Sequence, residues 1–341
     1  FHLHLAAAVC LSFCTLGTTT YAQTADVPFA RQKVVLNATS SGEPLVFTSA
    51  NPRNFEQIIA GTALTPVELD GQLFLPTGKA PHPVVILIPG SGGVGAHHLK
   101  HAEALIKAGV GVYVLDPFSK RGVSSTVEDQ TQFSFAASTY DLLSAARMLA
   151  ALPAVDRQRL GAVGYSRGGT AVSLAISEHL SHAVLGKQLK LKAVMTGWAW
   201  CGYQFQNAAT TATAMRFALG DSDNWVAPSL CQAQANAIAQ RNPQVSVRLF
   251  KGANHGFGYA MPLVEFPKAI KAFSAPAMFM NDSGAFIDWY TGTPMPGADD
   301  RTMMRLAAPW IGYGVKVGSQ DGQSETFTSD MVEFFSKHLR M

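Results

Sequence analysis

The stretch GYSRG at residues 164–168 decides how this chain is interpreted. It follows an apolar run at residues 160–163, which predicts a strand, and precedes a helix-like stretch at residues 170–179. A G-x-S-x-G sequence between a strand and a helix is typical of a tight turn that strains the serine backbone. Such a turn exposes the hydroxyl of Ser166 at a sheet edge, beside the free N–H groups of a helix start. We interpret Ser166 as a nucleophile; the alternative is a glycine-rich turn with an incidental serine.

A base for this serine follows later in the chain. Residues 215–219 and residues 245–250 predict two buried strands, and each ends in a polar loop. The second loop contains His255 between glycines, where an imidazole can take the serine proton and return it to a leaving group. The alternative is a loop histidine bonded to local backbone. The order of serine, acid and histidine favours the catalytic interpretation.

The acid that orients His255 has two candidates, Asp221 and Asp223, in the loop GDSD at residues 220–223. One of them can hold the imidazole, while the other caps a turn or the following helix. We favour Asp223, because Asp221 comes directly after the strand, whereas Asp223, two residues later, lies on the turning loop and can point toward the histidine.

An oxyanion hole is the fourth expected component. A continuous apolar run typical of a central strand precedes PGSGG at residues 89–93. We expect the main-chain N–H groups of Ser91 and Arg167 to bind the acyl oxygen, and Gly92 and Tyr165 to contact substrate. The alternative, a phosphate-binding loop, lacks the Lys-Ser/Thr pair of a P-loop.

These segments, together with the D-x-F-x-x-R-G loop at residues 116–122, resemble the dienelactone hydrolase family of the α/β-hydrolase fold. The resemblance covers residues 64–257 and implies a mostly parallel central sheet with helices on both faces. Its G-x-x-D pattern also favours Asp223. Dienelactone hydrolases proper use a cysteine nucleophile, so Ser166 indicates a broader, esterase-like branch. The expected reaction is hydrolysis of an ester, thioester or lactone through an acyl-enzyme.

Other polar side chains have open interpretations. Arg121 and Arg167 follow predicted strands and can clamp a substrate carboxylate, or form a structural ion pair with Asp116 or Glu128.

Three histidines, His97, His98 and His101, include an i, i+4 pair that can hold a metal ion. No carboxylate follows at a zinc-protease spacing, so we interpret them as a solvated helix start. Serine chemistry requires no metal, and no cofactor is expected.

Composition limits the function classes. Of the 341 residues, 48% are hydrophobic and 14% charged, which indicates a large core. The net charge of +3 is too small to indicate binding to nucleic acid or a membrane surface. Epoxide hydrolases and dehalogenases use an aspartate at the elbow and are disfavoured. A serine peptidase and an inactive binding protein of the same fold remain alternatives to an esterase acting on a small ester or lactone.

The first 22 residues resemble a signal peptide whose charged start lies outside the sequence. An apolar stretch at residues 3–16 precedes a small-residue cleavage site after Ala22, and it is too short to span a bilayer. We expect a periplasmic or secreted protein without membrane insertion, with residues 23–341 as one domain.

Export changes how the cysteines are interpreted. Cys201 and Cys231 form an even pair in an oxidising compartment, which predicts a disulfide; two free buried thiols are the alternative.

The segment at residues 259–325 is rich in Met, Phe, Pro and Gly. The fold needs only one helix here, so the segment is a candidate lid or wall of the acyl pocket. The alternatives are a surface insertion or a contact in a homodimer.

Overall fold

The computed structural model describes residues 27–320 and 322–340, so the predicted signal peptide lies outside the described residues. Strands and helices alternate through most of this range. In chain order the strands are β1 (Val35–Asn37), β2 (Ser40–Ser41), β3 (Glu43–Ala50), β4 (Pro66–Phe74), β5 (His82–Ile88), β6 (Gly111–Asp116), β7 (Val155–Tyr165), β8 (Ala193–Gly197), β9 (Tyr203–Phe205), β10 (Ala214–Gly220), β11 (Val245–Phe250), β12 (Val264–Lys271), β13 (Met278–Met280), β14 (Phe286–Ile287), β15 (Pro294–Met295) and β16 (Gly312–Val317). The α-helices are α1 (Phe55–Ala60), α2 (Ala96–Lys107), α3 (Phe135–Leu149), α4 (Arg167–Ala175), α5 (Glu178–Leu185), α6 (Pro228–Ala239), α7 (Asp300–Ala307) and α8 (Gln323–Leu339).

The central sheet has eight strands in the order β11-β10-β8-β7-β5-β6-β4-β3. Each pair from β11 to β6 is parallel, and β4 is antiparallel to both of its neighbours. Parallel neighbours end at the same edge of the sheet, so the loops after β5, β7, β10 and β11 meet there. The predicted α/β-hydrolase fold is confirmed.

Both faces of this sheet are covered, and β5 shows why its sequence is apolar throughout. Val84, Ile86 and Ile88 pack in one hydrophobic cluster, together with residues of α3, α4 and α6. Val85 and Leu87 pack in a second cluster, with residues of α2 and α8. Side chains of a strand alternate between faces, so a strand that is buried on both sides needs apolar residues at every position.

Local boundaries differ from the sequence predictions at the nucleophile turn. The helix expected at residues 170–179 begins already at Arg167, ends at Ala175, and is followed by a separate helix, α5. The break comes at Ser177, which pairs with Thr210 in an isolated bridge.

The segment at residues 259–325 is folded, and it contains much more than one helix. Strands β12 and β16 form an antiparallel ribbon, while β13, β14 and β15 extend a small sheet from β9. Helix α7 follows these strands and is capped by the side chain of Asp299, which accepts a hydrogen bond from the N–H of Thr302. In the described residues, the segment therefore adds a two-stranded ribbon, three strands of a small sheet and a helix to the fold.

Cys201 and Cys231 form the predicted disulfide, and both are fully buried. It joins the chain after β8 to α6 and closes a loop with a sequence separation of 30. A loop of this size stabilises the fold by about 3–4 kcal/mol in the chain-entropy account. The alternative of two free thiols is wrong.

Within the described ranges, no helix combines the length and the apolar character needed to cross a bilayer.

Candidate active site

Ser166 lies on the turn between β7 and α4, with φ 50° and ψ −115°. Only a few per cent of non-glycine residues have a positive φ, and such strain persists where the surroundings impose it. The two motif glycines allow the close packing that holds it here. A Cβ on Gly164 would lie 2.2 Å from the carbonyl oxygen of Gly168, and a Cβ on Gly168 would lie 2.5 Å from the carbonyl oxygens of Ile88 and Pro89. The turn therefore packs directly against the end of β5.

Ser166, His255 and Asp223 are hydrogen-bonded in series. His255 Nε2 lies 2.9 Å from Ser166 Oγ, and His255 Nδ1 lies 2.8 Å from Asp223 Oδ2. The side chains of His255 and Asp223 are each 2% exposed, so water barely competes for this contact. A carboxylate on Nδ1 selects the tautomer whose Nε2 accepts the hydroxyl proton. The arrangement can therefore move a proton from the serine to the imidazole.

The two candidate acids have different environments. Asp223 is buried, and its second oxygen accepts hydrogen bonds from the N–H groups of Trp225 (2.8 Å) and Val226 (3.1 Å). Asp221 is exposed and accepts a hydrogen bond from the N–H of Gly252 at 2.6 Å. The structure thus brings Asp223 to the histidine, while Asp221 ties its own loop to the neighbouring turn.

The predicted oxyanion donors belong to residues that come soon after β5 and β7. Ser91 follows β5, Arg167 is the first residue of α4, and both line the same pocket as Ser166. Arg167 N–H belongs to the first turn of a helix, where main-chain donors have no partner within the helix. The carbonyl of Ser91 accepts a hydrogen bond from Thr126 N–H at 2.8 Å, which fixes the loop that carries its own N–H.

The guanidinium of Arg167 does not point freely into the pocket. It donates to the main-chain oxygens of Gln130 and Phe133 and lies over the rings of Phe133 and Phe135, at 4.4 and 4.2 Å from their centroids. Burial lowers its pKa to about 10. The side chain therefore links α4 to the loop before α3.

Arg121 does not line the pocket of Ser166, and the predicted substrate clamp is corrected. Its guanidinium makes a bidentate ion pair with Asp141 at 2.8 and 2.9 Å, and its Nε donates to Asn51. The partner is neither Asp116 nor Glu128. The arginine is buried beside α3, where a charge needs a carboxylate partner of its own.

Gly92 and Tyr165 also differ from their predicted substrate role. Gly92 is exposed and does not line the pocket of Ser166. Tyr165 is fully buried, and its hydroxyl lies 2.8 Å from a ring nitrogen of His101. As the last residue of β7, its side chain packs with the cluster under α2 and α8, away from substrate.

The histidines of α2 are not a solvated helix start, as the sequence suggested. His98 and His101 are 1% and 2% exposed, and His97 lies 3.7 Å from Tyr259 between ring centroids. Burial lowers the pKa of His97 to about 3 and that of His101 to about 4, and it holds the pKa of His98 well below its usual value. The cluster is therefore neutral near pH 7.

An apolar pocket opens beside Ser166. Four aromatic side chains and several aliphatic ones form most of its wall, and polar side chains from the loop before α3 and from α7 complete it. It is lined by Ser91, Gln130, Thr131, Phe135, Ser166, Arg167, Trp200, Tyr203, Trp225, Val226, Ile270, Ala272, Met278, Asp300, Met304 and Ile311. Residues from 270 onward belong to the segment whose role the sequence left open.

Several of these pocket residues were missed from the sequence. Gln130, Trp200, Tyr203 and Asp300 belong to no motif, and each comes from a different loop or element. Asp300 accepts hydrogen bonds from Phe135 N–H at 2.7 Å and from the Tyr203 hydroxyl at 2.9 Å, and burial raises its pKa to about 6. The aromatic residues near 198–203 are a signal that could have indicated a pocket wall, and Asp300 lies in the segment at residues 259–325 that was a candidate wall.

The buried histidines predict a loss of stability in acid. In the unfolded chain they take up protons below about pH 6.5, whereas in the fold they stay neutral. The unfolded state therefore binds up to three more protons, and the free energy of unfolding falls by up to about 4 kcal/mol per pH unit. Asp300 opposes this with one proton, because its raised pKa favours the fold as the pH drops.

Urea unfolding between pH 7 and pH 5 measures this slope. His101→Gln is expected to reduce the slope by about one proton, whatever it does to stability at pH 7. A free energy of unfolding that is constant over this range would contradict the prediction.

Comparison with known proteins places the chain in a family. The model of the dienelactone hydrolase family matches residues 69–269, and no curated protein matches. Similar solved structures include a dienelactone hydrolase-like promiscuous phosphotriesterase from metagenomic libraries, at 15% identity over 87% of this chain and 99% of that one, with a TM-score of 0.49. A protein named m3DLH has 15% identity over the same shares and a TM-score of 0.51. The apo form of Thermogutta terrifontis esterase 2 has 19% identity over 56% of this chain and 81% of its own, with a TM-score of 0.44.

At these identities the likeness to solved structures shows the fold alone. The family match shows more than the fold, because the family model spans more than half of the 341 residues and includes the serine turn, the acid loop and the histidine. The chain belongs to the dienelactone hydrolase family, and it is an enzyme that hydrolyses ester bonds.

Proposed function

We propose that the enzyme is a serine hydrolase that cleaves small esters through an acyl-enzyme. The observation that carries this proposal is the hydrogen-bonded series of Asp223, His255 and Ser166 beside an apolar pocket. Serine replaces the cysteine of dienelactone hydrolases proper, so the dienelactone itself is not proposed as the substrate.

The reaction begins when Ser166 Oγ attacks the ester carbonyl carbon and its proton moves to His255 Nε2. Asp223 balances the charge on the imidazolium. The N–H groups of Ser91 and Arg167 donate to the oxygen that becomes negative. The alcohol leaves with the proton from His255, and the acyl group stays on the serine. Water then attacks the acyl carbon and gives a proton to His255. As the bond between the acyl carbon and Ser166 Oγ breaks, His255 returns that proton to Ser166 Oγ, and the carboxylic acid leaves.

The pocket wall indicates the class of acyl group. Phe135, Trp200, Tyr203 and Trp225 surround it, and apolar contact surface favours an apolar or aromatic acyl group over a charged one. Several wall residues, Ile270 among them, belong to the segment at residues 259–325. This supports the interpretation of that segment as a wall of the acyl pocket. Esters, thioesters and lactones all present a carbonyl of the required kind.

Activity-based labelling with a fluorophosphonate tests the proposal. We expect one label per molecule, on Ser166, together with turnover of short-chain and aromatic esters and none of peptide amides. Labelling with amide turnover would make the enzyme a peptidase, and absence of both labelling and turnover would indicate an inactive binding protein. Either result would reject the serine esterase.

We also propose that the mature chain begins near Gln23, is a single domain, and resides in the periplasm or outside the cell. The disulfide between Cys201 and Cys231 supports an oxidising compartment. Intact mass of the exported protein is expected to fit a start near Gln23, with no thiol alkylated before reduction and two alkylated afterwards. Two alkylated thiols without reductant would contradict the compartment.

A further inference from the structure

One loop joins the two proposed oxyanion donors. We call residues 122–134, between the 3-10 helix Ser119–Arg121 and α3, the bridging loop. It contacts Ser91 at two atoms. The N–H of Thr126 donates to the Ser91 carbonyl at 2.8 Å, and Nε2 of Gln130 donates to Ser91 Oγ at 2.9 Å. The residue that carries one donor is therefore fixed through both its backbone and its side chain.

The same glutamine contacts the residue that carries the other donor. Nη1 of Arg167 donates to Gln130 Oε1 at 3.0 Å and to the Gln130 carbonyl oxygen at 3.0 Å. The side-chain amide of Gln130 thus donates on one side and accepts on the other. It forms a direct hydrogen-bonded link between Ser91 and Arg167, and these residues line the same pocket as Ser166.

Both ends of the bridging loop are anchored. Before it, Arg121 is held by the bidentate ion pair with Asp141. At its end, Ser134 caps α3, because Ser134 Oγ accepts a hydrogen bond from Ala137 N–H at 2.8 Å. Side chains held by packing and by hydrogen bonds from fixed elements keep a site in its productive geometry. The anchors make the loop a fixed support for Gln130.

We infer that Gln130 is a positioning residue that sets the distance and orientation between the N–H groups of Ser91 and Arg167. The inference rests on the proposed oxyanion role of these two groups. Gln130 acts through its neighbours and exchanges no proton with substrate. Its removal lets the loop after β5 shift relative to α4, and a donor displaced by about 1 Å stabilises the transition state far less than a donor in place.

The test compares Gln130→Met with Gln132→Met. Methionine is nearly as long as glutamine but makes neither hydrogen bond. Gln132 is an exposed residue of the same loop, and its amide donates only to loop carbonyls, those of Ser125 and Asp129. With a short-chain ester, we expect Gln130→Met to lower kcat by about 10- to 100-fold with KM within about twofold. Gln132→Met is expected to leave both unchanged.

A double-mutant cycle with Ser91→Ala separates positioning from other roles. Loss of Ser91 Oγ breaks the same link but keeps the main-chain N–H, so the double variant is expected to lose little more than the larger single one. If Gln130→Met does not fold, Ser91→Ala alone is expected to show the same fall in kcat at constant KM.

Three results would overturn the inference. The first is a kcat of Gln130→Met within about threefold of the wild type, and the second is multiplicative losses in the double-mutant cycle. The third is an effect of Gln130→Met on KM alone, which would make Gln130 a substrate-binding residue. The turnover of Ser166→Ala distinguishes failure of this inference from failure of the proposed function. If the proposed function is wrong, Ser166→Ala retains turnover, whatever the Gln130 variants do.

Discussion

Ser166→Ala is expected to abolish nearly all ester hydrolysis while the fold remains intact. The hydroxyl is the only proposed attacking atom, and loss of one member of such a series costs nearly as much as loss of all. We expect kcat to fall by about 10³-fold or more, with a residual rate from the oxyanion donors. His255→Ala is expected to give a loss of similar size. Steady-state kinetics with a short-chain ester, alongside circular dichroism, measures both.

Ser222→Ala is the matched control, because the hydroxyl of this exposed serine of the acid loop donates to Asp221. The Ser222→Ala variant is expected to hydrolyse the short-chain ester at the wild-type rate. If Ser166→Ala keeps more than about a tenth of the wild-type kcat, the substitution has raised the activation free energy by less than about 1.4 kcal/mol. That outcome would rule out Ser166 as the nucleophile.

Asp223→Asn is expected to lower kcat by about 10⁴-fold. An amide at this position stabilises the tautomer of His255 whose Nε2 carries the proton, and it no longer balances the imidazolium charge. The contact of 2.8 Å between His255 Nδ1 and Asp223 Oδ2 is buried, so water cannot replace the carboxylate as the partner of the imidazole. Rates measured with and without the substitution, on protein of unchanged thermal stability, test the expectation.

Asp221→Asn provides the comparison within the same loop. Its carboxylate bonds to Gly252 N–H, a contact that asparagine can also make, so we expect a loss of about 1 kcal/mol of stability or less and near wild-type kcat. An inactive Asp221→Asn beside an active Asp223→Asn would transfer the acid role to Asp221.

The positions of the proposed serine, aspartate and histidine could be predicted from the sequence because each of these residues follows a strand. Ser166, Asp223 and His255 come directly after or within five residues of β7, β10 and β11. Parallel strands in one sheet end at one edge, so short motifs with the right strand before them are sufficient to place the side chains near each other. The GxSxG turn also has no space for a Cβ at Gly164 and Gly168, a requirement that only glycine meets.

The errors concern side chains whose partners lie far away in sequence. Arg121 pairs with Asp141 on α3, and Tyr165 bonds to His101 on α2. Polar residue types alone predicted exposure for the histidines, yet aromatic neighbours bury them. Which buried carboxylate or ring a polar side chain meets depends on how helices pack on the sheet, and no local pattern in the sequence encodes that packing.

The location of the pocket wall has an evolutionary consequence. The proposed reacting groups end at His255, whereas part of the wall, Ile270, Met278, Met304 and Ile311, comes from a later stretch of chain that contains several strands and a helix. Mutations in that stretch can change which acyl group fits while the bonds among the reacting groups stay as they are. Selection for a new substrate can therefore act on this part of the wall without repeated loss of the chemistry.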